Sequence, residues 1–303
     1  MSKTKILCTG SGGFVFSNFV RYVLKNNSNY SIVGIDRCDN SNVLNTIYSN
    51  KGHNFYIGDV GDEHFLNVIF SLEKPDYVIH GATSYTDPIH VHVKGTHNII
   101  ESCISHNVKK LIYTSSGGLY SGSSMVETDP IEPRTDYWAS KAAGELFVKA
   151  ASNRGLNYNI IRGCTNNYGP RQKGSKTVPL IVNSILNNRC LDININAMQN
   201  CDWLHVEDHC KAILKILEDG KQNEVYNIGA GQEFTNAEVL HEICNVLGRG
   251  HDLITFSGNV LENCGNIVNF DKLKSIGWSP SIKFKNGIVG AINWYNNNLW
   301  FLR

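Results

Sequence analysis

The stretch Thr9-Gly10-Ser11-Gly12-Gly13-Phe14-Val15-Phe16 decides the fold. It joins a short apolar run, Lys5–Cys8, to a segment with helical spacing of apolar residues, Phe14–Leu24. A Gly-rich turn between a strand and a helix brings backbone close to a ligand. It also leaves the first helical N–H groups, and the positive end of the helix dipole, facing an anion. Roughly 20 residues further on, Asp36 ends a second apolar run, where a carboxylate can accept hydrogen bonds from ribose hydroxyls and repel a 2′-phosphate. Arg37 beside it weakens that repulsion. Turn and carboxylate together point to a dinucleotide, NAD in preference to NADP.

Working outward, strand-like and helix-like segments alternate. Ile32–Ile35, Phe55–Ile57, Tyr77–Ile79, Lys110–Thr114 and Tyr158–Ile161 read as strands. His64–Leu72, Val91–His106 and Thr135–Ala151 read as helices. Repeated strand–helix units with Val/Ile-rich strands predict an α/β fold, a Rossmann-type doubly wound parallel sheet covered on both faces. After the polar loop Gly163–Ser175 the pattern loosens into short mixed strands and the helices Val178–Leu186, Val206–Leu217, Asn236–Leu247 and Asn286–Asn297. The expected division is an NAD-binding domain over 1–165 and a smaller mixed α/β substrate lobe over 166–303, some of whose segments return to the large sheet.

Composition narrows the function. The 303 residues are 42% hydrophobic and carry a net charge of +1, from 28 Lys+Arg against 27 Asp+Glu. Without a basic run there is no electrostatic footprint for nucleic acid. No apolar stretch approaches the ~18 residues of a membrane span, and the N-terminus does not read as a cleavable signal. The nine Cys are scattered, odd in number and free of C-x-x-C spacing. They predict reduced thiols, no metal centre and a cytoplasmic location. His90 and His92, two apart with no third ligand nearby, read as surface or helix-start residues.

The chemistry is concentrated in one helix. Tyr137 and Lys141 are four apart and project from one face of Thr135–Ala151. An ammonium near a phenol favours the phenolate, which can move a proton while hydride moves to or from a cofactor. Thr114-Ser115-Ser116-Gly117-Gly118 ends the fifth strand, at the sheet edge that faces a ligand crevice.

Gly10–Val15, Asp36, Asp59-Val60, Ser115-Ser116 and Tyr137-x-x-x-Lys141 resemble the extended short-chain dehydrogenases/reductases. Thr165-Asn166-Asn167-Tyr168-Gly169-Pro170 is similar to the substrate loop of NDP-sugar epimerases and dehydratases. Asp202–His209, Tyr226-Asn227-Ile228-Gly229 and Ile276-Gly277-Trp278-x-Pro280 look like dTDP-glucose 4,6-dehydratases. The resemblance implies that Gly10, Gly13, Phe14 and Val15 hold the NAD pyrophosphate, Asp36 the ribose, Asp59 and Val60 the adenine. It implies that Ala82 and Thr83 line the cofactor, and that Ser116, Tyr137 and Lys141 are the catalytic set, with Lys141 also on the nicotinamide ribose. Asn167, with Lys176, would meet the phosphates of a UDP- or dTDP-linked sugar, and the family's habit is a homodimer.

The departures choose the reaction. The spacing GxxGxxG puts its third glycine at Phe16, so helix and strand must part or fit a widened gap. Dehydratases carry Asp-Glu where Gly117-Gly118 stands, and epimerases carry small residues there. Gly169-Pro170-Arg171-Gln172 is also closer to the epimerases. The loop after Thr83 is short, His92 stands where the family has Asn, and Cys201 where it has Arg. Leu261-Glu262-Asn263-Cys264-Gly265 likewise lacks an expected Arg. Lys173, Lys176 or Arg189 would then take over the phosphates. The expected function is C4 epimerisation of a sugar nucleotide. The alternatives are a 4,6-dehydratase, a 4-keto reductase, or a relative that binds NAD without catalysis. Trp203 and Trp278 read as core, and Glu207-Asp208 as a helix-start cap.

Overall fold

A computed structural model of the chain describes residues 3–37, 53–121, 125–164, 166–258 and 267–302. Thr165, Cys38 and the Leu261–Gly265 stretch lie outside the described residues.

Seven strands among the described residues form one parallel sheet. They are β1 (Thr4–Thr9), β2 (Tyr30–Asp36), β3 (His53–Ile57), β4 (Tyr77–His80), β5 (Lys110–Thr114), β6 (Tyr158–Gly163) and a late strand, Glu224–Ile228. Three strands outside that sheet precede the late strand in the chain: β7 (Asn166–Tyr168), β8 (Leu191–Ile193) and β9 (Asn200–His205). The late strand is therefore β10, and the sheet order is β10-β6-β5-β4-β1-β2-β3. The order reverses between β1 and β4, which opens a crevice at their carboxyl ends.

Helices cover both faces because the strands are apolar on both sides. On one face α1 (Phe14–Asn26) buries Phe16, Phe19, Val20 and Val23, a stripe with helical spacing. On the other lie α2 (Glu63–Glu73), α3 (Thr96–Ser105) and α4 (Asp136–Ala151). The helix expected from Val91 begins instead as a π-turn, Ile89–Gly95, that leads into α3. Two of these helices start on side-chain caps: Asp62 accepts from Phe65 N and Thr135 from Trp138 N.

The chain after 165 also contains α5 (Thr177–Leu186), α6 (Val206–Asp219), β11 (Glu233–Thr235), α7 (Asn236–Leu247), β12 (Ile254–Phe256), α8 (Asp271–Ser275) and α9 (Phe284–Asn296). α5, α7 and α9 share a second core, while α6 and α8 pack into the core of the large sheet. α6 lies on α1, and β10 joins the large sheet beside β6. The loop expected over Gly163–Ser175 contains β7, which pairs in parallel with β9. Asn-Asn-Tyr has no strand pattern of its own, and the partner that orders it lies more than 30 residues away. Trp203 and Trp278 are buried in the core. Asp208 is no helix cap: it is fully buried and accepts from Ser281 N, Ile282 N and the Ser281 hydroxyl at 2.7–2.8 Å. The start of α6 is capped by His205, whose Nδ1 accepts from Glu207 N.

A buried polar network sets the rotation of α4. Arg162 on β6 donates from Nε to Glu145 Oε1 at 2.9 Å and from Nη2 to Oε2 at 2.7 Å. Arg162 is 3% exposed and Glu145 0%. Arg162 also donates to the Tyr120 hydroxyl, which donates to Asn227 Oδ1 at 2.8 Å. A two-point clamp of this kind fixes direction as well as distance. Because Glu145 lies one turn beyond Lys141, it decides which way Tyr137 and Lys141 point. Removing one partner leaves a buried charge uncompensated. Arg162→Met or Glu145→Leu is expected to lower unfolding stability by about 3–5 kcal/mol in denaturant titrations, whereas the joint replacement costs much less.

Candidate active site

The crevice is held together by the strand ends. The Thr9 hydroxyl lies 2.7 Å from His80 Nδ1 and accepts from Gly81 N and Ala82 N at 3.2 Å each. His80 Nε2 lies 3.1 Å from Thr96 Oγ1, and Thr114 Oγ1 donates to His80 O at 2.9 Å. Burial, then the charge of Lys141, pushes the His80 imidazole down to about 3. A neutral histidine thus pins β4 to β1 and positions Ala82 and Thr83.

The Gly-rich turn is tightly wound. Gly10 has φ +70°, and a Cβ there would lie 2.7 Å from Gly81 O. Gly13 N donates to Gly10 O at 2.9 Å. Gly13 is the N-cap of α1 and supplies no side-chain cap, so the helix opens on backbone at Phe14 and Val15. Gly12 N donates to Asp36 Oδ2 at 2.7 Å. Arg37 pairs with Asp59, Nη1 to Oδ2 at 3.7 Å. Asp59 also accepts from Gly61 N at 2.7 Å and lies 3.1 Å from His90 Nε2. Burial opposes its charge, but Gly61 N–H, His90 and Arg37 together hold the carboxyl below its usual range. Val60 is buried beside it, its carbonyl accepting from Asn98. A backbone cradle that a Cβ would fill, an uncapped helix start and a carboxylate at the end of β2 suit a dinucleotide.

Phe16 does not push the helix away. It is 6% exposed and lies against Gly81, where any Cβ would fall inside its ring. The small residue that lets helix and strand approach has moved from α1 to the end of β4.

Tyr137 sits at the centre of a ladder of rings. Its hydroxyl is 3.1 Å from Thr83 Oγ1. Tyr85 stacks on it at 4.3 Å with 12° between planes, and Lys176 Nζ lies 5.2 Å above the Tyr85 ring. His92 meets Tyr137 edge-on at 5.1 Å. His92 lies in the turn that starts α3, but is buried there, bridging Thr83 and Ser140, and is not a surface residue; among the described residues no group of three or more His/Cys/Asp/Glu could hold a metal. Burial, then Tyr85, pushes the phenol above its usual range, so the lowering expected from Lys141 is not felt in the free chain. Lys141 is itself buried and donates to Thr114 O at 2.8 Å. Burial pulls its ammonium down to about 7, with Glu145 resisting.

Ser116 lies past the end of β5, its Oγ accepting from Gly118 N at 3.0 Å. The hydroxyl bonded to Tyr137 is that of Thr83, not of Ser116. At Gly117 a Cβ would lie 2.9 Å from Val268 and 3.0 Å from Gly163 O. At Gly118 it would lie 2.5 Å from the Trp138 indole. A side chain at either position would require Trp138, or Val268 and the backbone at Gly163, to shift.

In β7, Asn167 Oδ1 lies 2.7 Å from His209 Nδ1, and its Nδ2 donates to Cys164 O. Lys173 and Arg189 are exposed, and Cys201 is buried in the small-lobe core. Thr9, His80, Tyr85, Trp138 and Glu145 were not expected at the site. Of these only the spacing of Glu145 from Lys141, one helical turn, was visible beforehand.

The sequence profile of the NAD dependent epimerase/dehydratase family matches residues 6–229. The chain belongs to that family. It is 30% identical to human dTDP-D-glucose 4,6-dehydratase, over 97% of this chain and 90% of that one. The same identity relates it to dTDP-glucose 4,6-dehydratase of Streptomyces niveus, over 97% and 93%. The fold matches dTDP-glucose 4,6-dehydratase of Bacillus anthracis in complex with NAD, with TM-score 0.91, 28% identity and 98% coverage of each chain. It also matches UDP-glucose 4-epimerase of Thermotoga maritima with UDP-glucose, at TM-score 0.88, 25% identity, and coverage of 98% and 100%. This member of the epimerase/dehydratase family is an enzyme, and NAD is its cofactor. Among the described residues no helix is long and apolar enough to cross a membrane.

Two predictions follow from this geometry. Gly81→Ala should weaken NAD binding at least tenfold by calorimetry, and adding Phe16→Gly should restore most of it, since the clash is between these two residues. For Lys141, the folded chain gives up its proton near 7 and the unfolded chain near ~10.4. The unfolded state therefore binds more protons between those values, and Lys141 makes stability rise with pH across that window. Lys141→Met should flatten the rise, read by denaturant midpoints from pH ~7 to ~10.

Proposed function

We propose that the enzyme inverts C4 of a nucleotide-linked sugar by transient oxidation. What supports this reading above all is the packing at Gly117 and Gly118. Elimination of water needs an acid and a base beside the sugar; glycine supplies neither, and Trp138, Val268 and Gly163 O pack closely against the two positions. Epimerisation asks only that C4 be oxidised, that the keto sugar turn, and that C4 be reduced on its other face.

In this reading Gly10, Gly13, Phe14 and Val15 hold the pyrophosphate of NAD, and Asp36 its adenosine ribose. Asp59 and Val60 flank the adenine, and Ala82 and Thr83 line the nicotinamide side. The cofactor supplies a hydride acceptor and donor when bound. Ser116 orients the C4 hydroxyl, and Tyr137 removes its proton and later returns it. Lys141 holds the nicotinamide ribose and favours the Tyr137 phenolate when charged. Asn167 and Lys176 meet the diphosphate of a UDP- or dTDP-sugar. Lys176 is exposed and already poised over Tyr85.

A 4,6-dehydratase is the second reading, favoured by the names of the relatives at 30% identity. The homodimer is also a proposal. Leu146 and Phe147 on α4 are 63% and 41% exposed, large apolar side chains that a second copy of the helix would cover.

Incubation with UDP-, dTDP-, GDP- and CDP-sugars should yield a C4 epimer from at least one of them. A 4-keto-6-deoxy product, seen by its absorbance in alkali, would overturn the epimerase reading in favour of the dehydratase. Light scattering should give twice the chain mass, and Leu146→Glu should halve it.

A further inference from the structure

His92 lies outside the roles assigned so far, yet its ring is bonded on both sides. Nε2 lies 2.9 Å from Thr83 Oγ1 and 3.2 Å from Ser84 N, and Nδ1 lies 2.8 Å from Ser140 Oγ. The Ser140 hydroxyl donates to Tyr137 O at 2.8 Å. These contacts fix every proton. Ser84 N–H can only donate, so Nε2 is an acceptor. A neutral imidazole then carries its proton on Nδ1 and donates to Ser140, whose own proton goes to Tyr137 O. The Thr83 hydroxyl shares the single Nε2 lone pair with Ser84 N–H: an oxygen 2.9 Å from a bare nitrogen places its own proton between them. Its oxygen is left to accept from the Tyr137 phenol, 3.1 Å away.

We infer that His92 is a positioning residue that fixes the proton direction of the Thr83–Tyr137 pair, so that Thr83 accepts from the phenol and cannot donate to the phenolate. The inference rests on Tyr137 as the acid–base group proposed above. A hydroxyl that donated to Tyr137 would stabilise its charged form; one committed to accepting stabilises the neutral form. His92 therefore keeps Tyr137 protonated until another charge draws the proton off.

The other titratable groups around the phenol come from each element packed on it. Tyr85 stacks from the loop after β4, with Lys176 beyond it at the start of α5. Lys141 lies on the same helix, and His80 and Tyr113 stand at the ends of β4 and β5. Burial, followed by the charge of Lys141 and by His80, holds the His92 imidazole down at about 2, in keeping with the neutral ring that the geometry requires.

Two measurements on the NAD-loaded protein test this without turnover, so they are independent of which sugar nucleotide is used. The first is nitrogen NMR of labelled imidazoles, with His92 assigned through His92→Gln. The expected spectrum has a protonated Nδ1 and a bare Nε2, and a protonated Nε2 overturns the inference. The second is the tyrosinate absorbance titration of Tyr137, assigned by its loss in Tyr137→Phe. Thr83→Val should move the titration down by about one pH unit, because it removes an acceptor from the neutral phenol. An upward move would mean that Thr83 donates to the phenolate, and would overturn the inference. His92→Gln, which can keep an acceptor toward Ser84 and Thr83, should leave the titration where it is. A shift of the same size as in Thr83→Val would count against the inference.

Discussion

The buried clamp between Arg162 and Glu145 is the constraint on which the rest of the site depends. Two charges are taken out of water, and both guanidinium and carboxylate are satisfied by each other with nearly ideal lengths of 2.9 and 2.7 Å. Burial disfavours the charge of Arg162, and Glu145 more than offsets it. The pair ties α4 to β6, and through Tyr120 and Asn227 to β10. One turn before Glu145 is Lys141, and one turn before that is Tyr137. Rotation of the helix about its axis would move all three together, so the clamp sets the geometry of the chemistry while lying outside the crevice.

The same logic of fixed orientation runs through the crevice. His80 and Thr9 lock the end of β4, which carries Gly81, Ala82 and Thr83. Gly81 yields its side-chain space to Phe16, so a missing glycine in one element is answered by a glycine in another. Gly118 yields its space to Trp138 in the same way. The first exchange lets α1 approach the end of β4; the second packs an indole where the dehydratases carry an acidic side chain. Kinship and local chemistry thus lean in different directions: the relatives named above are mostly dehydratases, while the packing around Gly117 and Gly118 favours a reaction that needs neither acid nor base beyond Tyr137.

Much of the fold was legible in the sequence because its signals are local. Lys110–Thr114 and Asn236–Leu247 appear with the bounds their apolar periodicity suggests. The turn at Gly10 is read from glycine and strand-to-helix position alone. What was not legible depends on partners far apart in the chain. β7 is a strand only because β9 pairs with it. Glu207-Asp208 looked like a cap, but Asp208 is drawn instead to Ser281 and Ile282, more than 70 residues away. His92 reads as a surface or helix-start histidine, and its burial is not legible because nothing nearby in sequence announces Ser140. The raised phenol of Tyr137 is missed for a related reason: spacing reports the Lys141 charge, and not the burial of Tyr137 that outweighs it.

The central claim is that hydride leaves C4 and comes back to C4 with no water lost. The most direct test is to follow a deuterium placed at C4 of a UDP- or dTDP-linked hexose through turnover, by NMR of the product. The account predicts deuterium at C4 of the inverted sugar. Deuterium at C6 of a 4-keto-6-deoxy sugar would contradict it.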